Sequence, residues 1–137
     1  MSDLTFTDVR LIDDKPVQPD TIGLGETCAA FDLVQLIAGK YFRSTSTDAA
    51  KSRPSHILMQ GGNDLENVVA LPLATGQSFQ LIGATTVLGD QYVLSANLGK
   101  IADRADLVTT NLLTDIAKGS SASEKVIVSV EATGIVL

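Results

Sequence analysis

The chain holds one cysteine, Cys28, and one histidine, His56. They form the one Cys–His pairing open to a nucleophile and its base. Cys28 sits in Thr27-Cys28-Ala29-Ala30-Phe31, an apolar setting that suits a buried, unreactive thiol. His56 follows Pro54-Ser55 at the start of an apolar run and reads as a surface or hydrogen-bonded structural histidine. Two such residues fall short of the four ligands of a structural zinc site, and one cysteine cannot form an internal disulfide. No catalytic set, no metal and no cofactor is expected.

The carboxylates Asp13, Asp14, Asp20, Asp64, Glu66, Asp103, Asp106 and Asp115 fall mostly in stretches that read as loops. Two of them could in principle face each other as a glycosidase pair. Sugar subsites lean on aromatic platforms, however, and aromatics are 4% with no tryptophan. Asn63-Asp64-x-Glu66 lacks the spacing of an EF-hand loop. Gly23-x-Gly25 and Gly39-Lys40 lack the other parts of a phosphate loop and read as turns. Lys40, Arg43, Lys51 and Arg53 gather four of the ten basic groups around a Ser/Thr/Ala-rich loop. They are candidate contacts for an acidic protein partner.

What must position these residues is a set of strands. Of 137 residues, 34 are Val, Ile or Thr, a content that favours sheets over helices. Short apolar runs alternate with Gly, Asp, Asn and Ser clusters, the all-β pattern. Strands are expected at 4–12, 32–38, 41–42, 56–59, 68–73, 79–82, 92–96, 126–130 and 135–137. Residues 43–55 read as an exposed loop. Pro72 implies a bend or an edge in its strand. Residues 106–117 are ambiguous: Asp106 could cap a helix, but Val108-Thr109-Thr110 opposes one.

The length suits a single domain. The net charge of −6 argues against nucleic acid and against an anionic membrane surface. The first ten residues carry Asp3 and Asp8 and no signal-like apolar segment, so a soluble protein of a reducing compartment is expected.

The chain resembles itself at an offset of 58. Residues 61–76, GGNDLENVVALPLATG, match 119–134, GSSASEKVIVSVEATG, at six of sixteen positions without a gap. Chance would give roughly one. Asp32 meets Asp90, Leu36 meets Leu94, and two extra residues bring Gly39-Lys40 onto Gly99-Lys100. Two β-units, residues 24–83 and 88–137, are expected. Val68 and Val126 should hold equivalent core positions, and Gly61 and Gly119 equivalent turns. The fold class that follows is all-β: one compact antiparallel sandwich or barrel, jelly-roll-like, over residues 23–137. Residues 1–22 lie outside the repeat as an extended N-terminal strand or arm, and Leu4 and Phe6 on it are candidate partner contacts.

Each half runs through Gly-Asp/Glu, an apolar strand, Gly-Lys, a variable Asp/Ala-rich stretch, a Gly-rich turn, Glu, alternating Val/Ile and Gly. In this pattern, seen as LGDQYVLSANLGKIADRAD and IAKGSSASEKVIVSVEATG, the chain resembles the capsid cement, or decoration, proteins of tailed bacteriophages. The resemblance implies a non-enzymatic structural protein, made in the host cytoplasm and placed on the virion. Its partners would be the major capsid protein and itself, as a homo-dimer or homo-trimer. The other readings open to the sequence are a tail or tube subunit and a small ligand- or carbohydrate-binding β-domain.

Overall fold

The computed structural model describes residues 3–12, 19–107, 111–120 and 123–137. Asp13, Asp14 and Val108-Thr109-Thr110 lie outside them. The chain is all-β, as its composition implies. Its strands are β1 (Asp8–Leu11), β2 (Asp20–Gly23), β3 (Leu33–Ile37), β4 (Lys40–Arg43), β5 (His56–Leu58), β6 (Asn67–Pro72), β7 (Ser78–Ile82), β8 (Gln91–Leu94), β9 (Ile101–Asp103), β10 (Leu112–Gly119) and β11 (Lys125–Val136). They form two antiparallel sheets, one ordered β1-β7-β11-β10-β8-β9 and the other β2-β6-β5-β3-β4.

Alternation along the strands supplies two cores. Leu33, Ile57 and Leu71 on one face of the five-stranded sheet meet Phe79, Leu81, Tyr92, Leu94, Ile116, Val126 and Val128 of the six-stranded sheet. On its other face Ile22, Leu24, Cys28, Val34, Leu58, Val68 and Ala70 form a second cluster with Tyr41. A sheet with apolar groups on both faces must cover both, and this one curls over its own. Leu24, just past β2, bridges Tyr41 on β4, and the Gly25 N–H donates to the Tyr41 carbonyl at 2.8 Å. The two edge strands thus meet and make a half-barrel around the second cluster.

The expected duplication is present in the topology. Counting from β2, the first unit is ordered β2-β6-β5-β3-β4; counting from β7, the second is β7-β11-β10-β8-β9. Each strand of one has its counterpart five strands later, with the same antiparallel neighbours. The backbone agrees. Left-handed residues recur at matching corners: Phe31 and Gly89 (φ 68 and 83), Gly39 and Gly99 (85 and 76), Leu65 and Glu124 (71 and 74); the aligned Gly76 and Gly134 are left-handed too (90 and 75), the first in the loop after β6 and the second within β11. Val68 and Val126 are equivalent, each 2% exposed on the last strand of its unit and paired to its first strand, with Ile22 and Phe79.

Three details differ from the sequence reading. The units run from β2 to β6 and from β7 to β11, so residues 78–82 open the second unit instead of closing the first. Gly61 and Gly119 are not equivalent. Gly61 lies in the turn after β5, against the Cys28 carbonyl, whereas Gly119 is the last residue of β10 and backs onto the Val87 carbonyl. The separate strand expected at 135–137 is the end of β11, which stays continuous by shifting register against β10 between Leu112 and Thr114 and between Asp115 and Ala117. The ambiguous 106–117 stretch resolves into the end of a short 3-10 turn, Arg104–Asp106, and most of β10. Pro72 ends β6 opposite His56, past the last pair with β2, where its missing N–H is not needed.

The N-terminal segment is extended, but it is laid on the chain's own sheet. Asp3 bridges Ala102 beside β9, and the Leu4 N–H donates to the Ile101 carbonyl at 2.8 Å. Five residues later β1 pairs with β7 from Asp8↔Ile82 to Leu11↔Phe79. One segment therefore touches both outer strands of the second unit, and Val9 on it is 2% exposed.

A Cβ at residue 119 would collide with the Val87 carbonyl oxygen, and backbone on both sides leaves no cheap relief. Gly119→Ala is expected to cost about 3 kcal/mol or more. Gly76→Ala faces open space and carries only the left-handed strain, about 1–2 kcal/mol. Urea unfolding of both variants checks the order.

Candidate functional site

The basic residues divide by the strands and bonds that hold them. Arg43 ends β4, and its N–H and guanidinium reach the Glu26 carboxylate at 2.8 and 3.2 Å. Burial alone would raise Glu26; the Arg43 bonds and charge, with Lys51 behind them, outweigh it and hold the carboxyl below its usual value. Lys51 also lies over the Phe42 ring, 5.7 Å from its centroid. Arg43 is thus held by Glu26, and Lys51 by the Phe42 ring. Arg53 and Lys40 remain exposed, Lys40 at the tip of the β3–β4 hairpin.

The loop carrying Lys51 and Arg53 is pinned. The buried Gln35 side chain donates to the Ala50 carbonyl at 2.7 Å and accepts from the Arg53 N–H at 2.8 Å and the Ser44 hydroxyl at 3.1 Å. Asp48 accepts from the Ala50 N–H and starts a 3-10 turn, Ala49–Lys51. Leu4 and Phe6 are partly buried on the N-terminal segment. Both pack on the inter-sheet core, and the Phe6 and Phe31 rings lie 5.8 Å apart.

Cys28 and His56 are not brought together as a pair. Cys28 is buried in the half-barrel core. Burial, then the Glu26 and Asp32 charges, push its thiol up to about 11, so it is no nucleophile near neutral pH. His56 instead joins Ser55 and Asp20. Its Nδ1 lies 2.8 Å from the Ser55 hydroxyl and its Nε2 2.8 Å from the Asp20 carboxylate, with Tyr41 edge-on at 5.3 Å. Asp20 and His56 are thirty-six residues apart, and β6 between their strands brings them level, so spacing gives no hint of the pair.

Two of the carboxylates expected in loops hold local turns. Glu66 accepts from the Asn63 N–H at 2.9 Å and Asp103 from the Ala105 N–H at 3.0 Å. Among the described residues no three His, Cys, Asp or Glu side chains gather as a metal site. Asp115 and Glu131 stand opposite each other on β10 and β11. Burial first, then the Glu131 charge, raise the Asp115 carboxyl, against a smaller pull from Arg104.

An ion pair that joins the two units was legible only in part. Asp32 is buried and its carboxylate accepts from the Ala29 N–H at 2.9 Å and from Lys100 Nζ at 3.0 Å. Asp32 belongs to the first unit and Lys100 to the second. Gly99 sits between them, where a Cβ would lie 2.8 Å from the Asp32 carboxyl carbon. Its carbonyl accepts from Leu33 N–H at 2.9 Å and its N–H donates to the Ser44 carbonyl at 2.7 Å. Beside this joint a hollow of about 300 Å³ opens between residues 3–6, Phe31 and Lys100. Asp32 and Gly99-Lys100 both stand out in the repeat alignment, which marks them as corners without showing that they touch.

No protein-family model matches this chain, and no curated protein matches it.

Two outcomes follow from the raised carboxyl and the raised thiol. A carboxyl raised on folding favours the folded state while protonated. That contribution is present below the unfolded value and is lost as pH rises through the folded one. Asp115→Asn should therefore stabilise the fold near neutral pH by about 0.5 kcal/mol, with the gain vanishing in acid; thermal melts across pH read it. Native Cys28 should resist iodoacetamide at mildly alkaline pH and react once the chain is unfolded in urea, which mass spectrometry of the alkylated protein checks.

Proposed function

We propose that this protein is a non-enzymatic structural subunit that binds the outer surface of an assembled phage capsid and reinforces it. The observation that supports this reading is the duplication. The Gly-Lys turns, left-handed corners and Glu-led strands that carry the resemblance to capsid cement proteins recur at matching places in the backbone.

The physical logic favours assembled shells over free subunits. A surface from a domain of this size offers about 800 Å² to each partner. Several such surfaces held in one oligomer engage a symmetric shell together, and linkage raises avidity by about 10²–10⁴. Those sites coexist only on the finished lattice, so binding stabilises the lattice by mass action. Of the contacts expected from sequence, Lys40 and Arg53 remain available on the surface. Leu4 and Phe6 are partly buried against the inter-sheet core.

The test is co-sedimentation of the purified chain with cognate assembled shells and, separately, with unassembled shell subunits. The expected result is retention on shells, little on subunits, and a higher temperature of shell disruption once the protein is bound. Absence of retention on shells overturns the reading.

A further inference from the structure

The joint between the two units is used once. The β8–β9 turn of the second unit lies against the corner before β3 in the first. Besides the Gly99 bonds and the Lys100–Asp32 pair, Ser46 N–H donates to the Ser95 carbonyl at 3.0 Å and the Thr45 hydroxyl to the Ala96 carbonyl at 2.9 Å. A two-fold relation between the units would make the reciprocal contact, with the β3–β4 turn of the first unit against the corner before β8 in the second. That contact is absent. The relation is head to tail, and a head-to-tail relation leaves one turn and one corner unused.

Both unused parts are open. Gly39 has the left-handed φ of Gly99, yet nothing lies within 4 Å of its Cβ position, while at Gly99 that space is filled by Asp32. Leu36, the counterpart of Leu94, is 56% exposed where Leu94 is 0% exposed. At the opposite end, Val87 and Leu88 before the Gly89-Asp90 corner are 54% and 73% exposed. Lys40 and Asp90, the counterparts of Lys100 and Asp32, form no ion pair with any described residue. Gln91 and Arg104 flank Tyr92↔Asp103 at this corner as Leu33 and Ser44 flank Val34↔Arg43 at the other. The open turn carries Lys40 beside Leu36, and the open corner carries Asp90 beside Val87 and Leu88, with Arg104 and Lys118 as its further charged neighbours.

We propose that a second copy of this chain fills the gap. The Ala38-Gly39-Lys40 turn of one copy seats against the Gly89-Asp90 corner of the next, pairing Lys40 with Asp90 and covering Leu36 with Val87 and Leu88. The intermolecular joint then repeats the intramolecular one, and copies add in one direction until the rotation closes a ring. This rests on the self-association in the proposed function and does not involve the shell.

The experiment is sedimentation equilibrium of the purified chain alone, over a range of concentration and salt. The wild type should assemble, with Lys40→Glu, Asp90→Lys and Leu88→Glu each weakening association at least about tenfold. The Lys40→Glu/Asp90→Lys double reversal should restore it. Circular dichroism confirms that each variant is folded. Association that ignores both reversals overturns this joint and leaves self-association standing. A wild type that stays monomeric throughout overturns the joint and the oligomer together. Shell retention by such a monomer would leave the capsid reading intact.

Discussion

Asp32 is the residue on which the arrangement of the two units turns. Its carboxylate is buried, and a buried carboxylate without partners costs several kcal/mol. Two groups supply the compensation: the Ala29 N–H from its own corner and the Lys100 ammonium from the other unit. The first fixes the bend at Phe31, which holds a left-handed φ that glycine would adopt more cheaply. The second places the β8–β9 turn, and that turn must carry a glycine because the carboxyl fills the space of any side chain. Charge, backbone conformation and residue size are thus set by one buried group. Lys100 remains partly in water, so the pair contributes by sparing Asp32 its isolation more than by attraction.

The same backbone does different work in the two units. In the first, the strands close on themselves through Leu24 and Tyr41 and enclose their own small core. In the second, β7 runs on into Gly83 and a loop, and closure is left to residues 3–11. The second unit gives its inner face to the shared core, with Tyr92, Leu94 and Ile116 against Leu33, Ile57 and Leu71. Copies of one pattern have diverged in what covers their edges while keeping their corners.

Much of the architecture was legible because corners leave marks in sequence. Gly-Lys turns, Ala-Thr-Gly and the apolar strands that follow Glu recur visibly, and they located Val68 and Val126 correctly. The unit boundaries were not legible, since β2 (DTIG) and β7 (SFQLI) share no identity; a strand is defined there by alternation alone. Phe31 gives no sign that it occupies the place of Gly89. Alternation at Leu4 and Phe6 identifies an extended segment but not whose edge it joins. The His56–Asp20 and Asp32–Lys100 pairs depend on strand order, which local residue preferences do not encode. The basic cluster was visible as composition, yet Glu26 takes Arg43 and the Phe42 ring takes Lys51.

The position of the N-terminal segment also sets an order of events during synthesis. Residues 3–12 leave the ribosome well before the strands they join, since Asp8 pairs with Ile82 on β7 and Asp3 with Ala102 on β9. The first unit, with its closure contained between β2 and β6, can be completed while this leading strand still waits for its edges. The last strand of the second unit, β11, supplies the neighbour that β7 needs on its other side. A strand made before the first unit and the last strand of the second therefore enter the same sheet, and the second unit cannot close until β11 has been made.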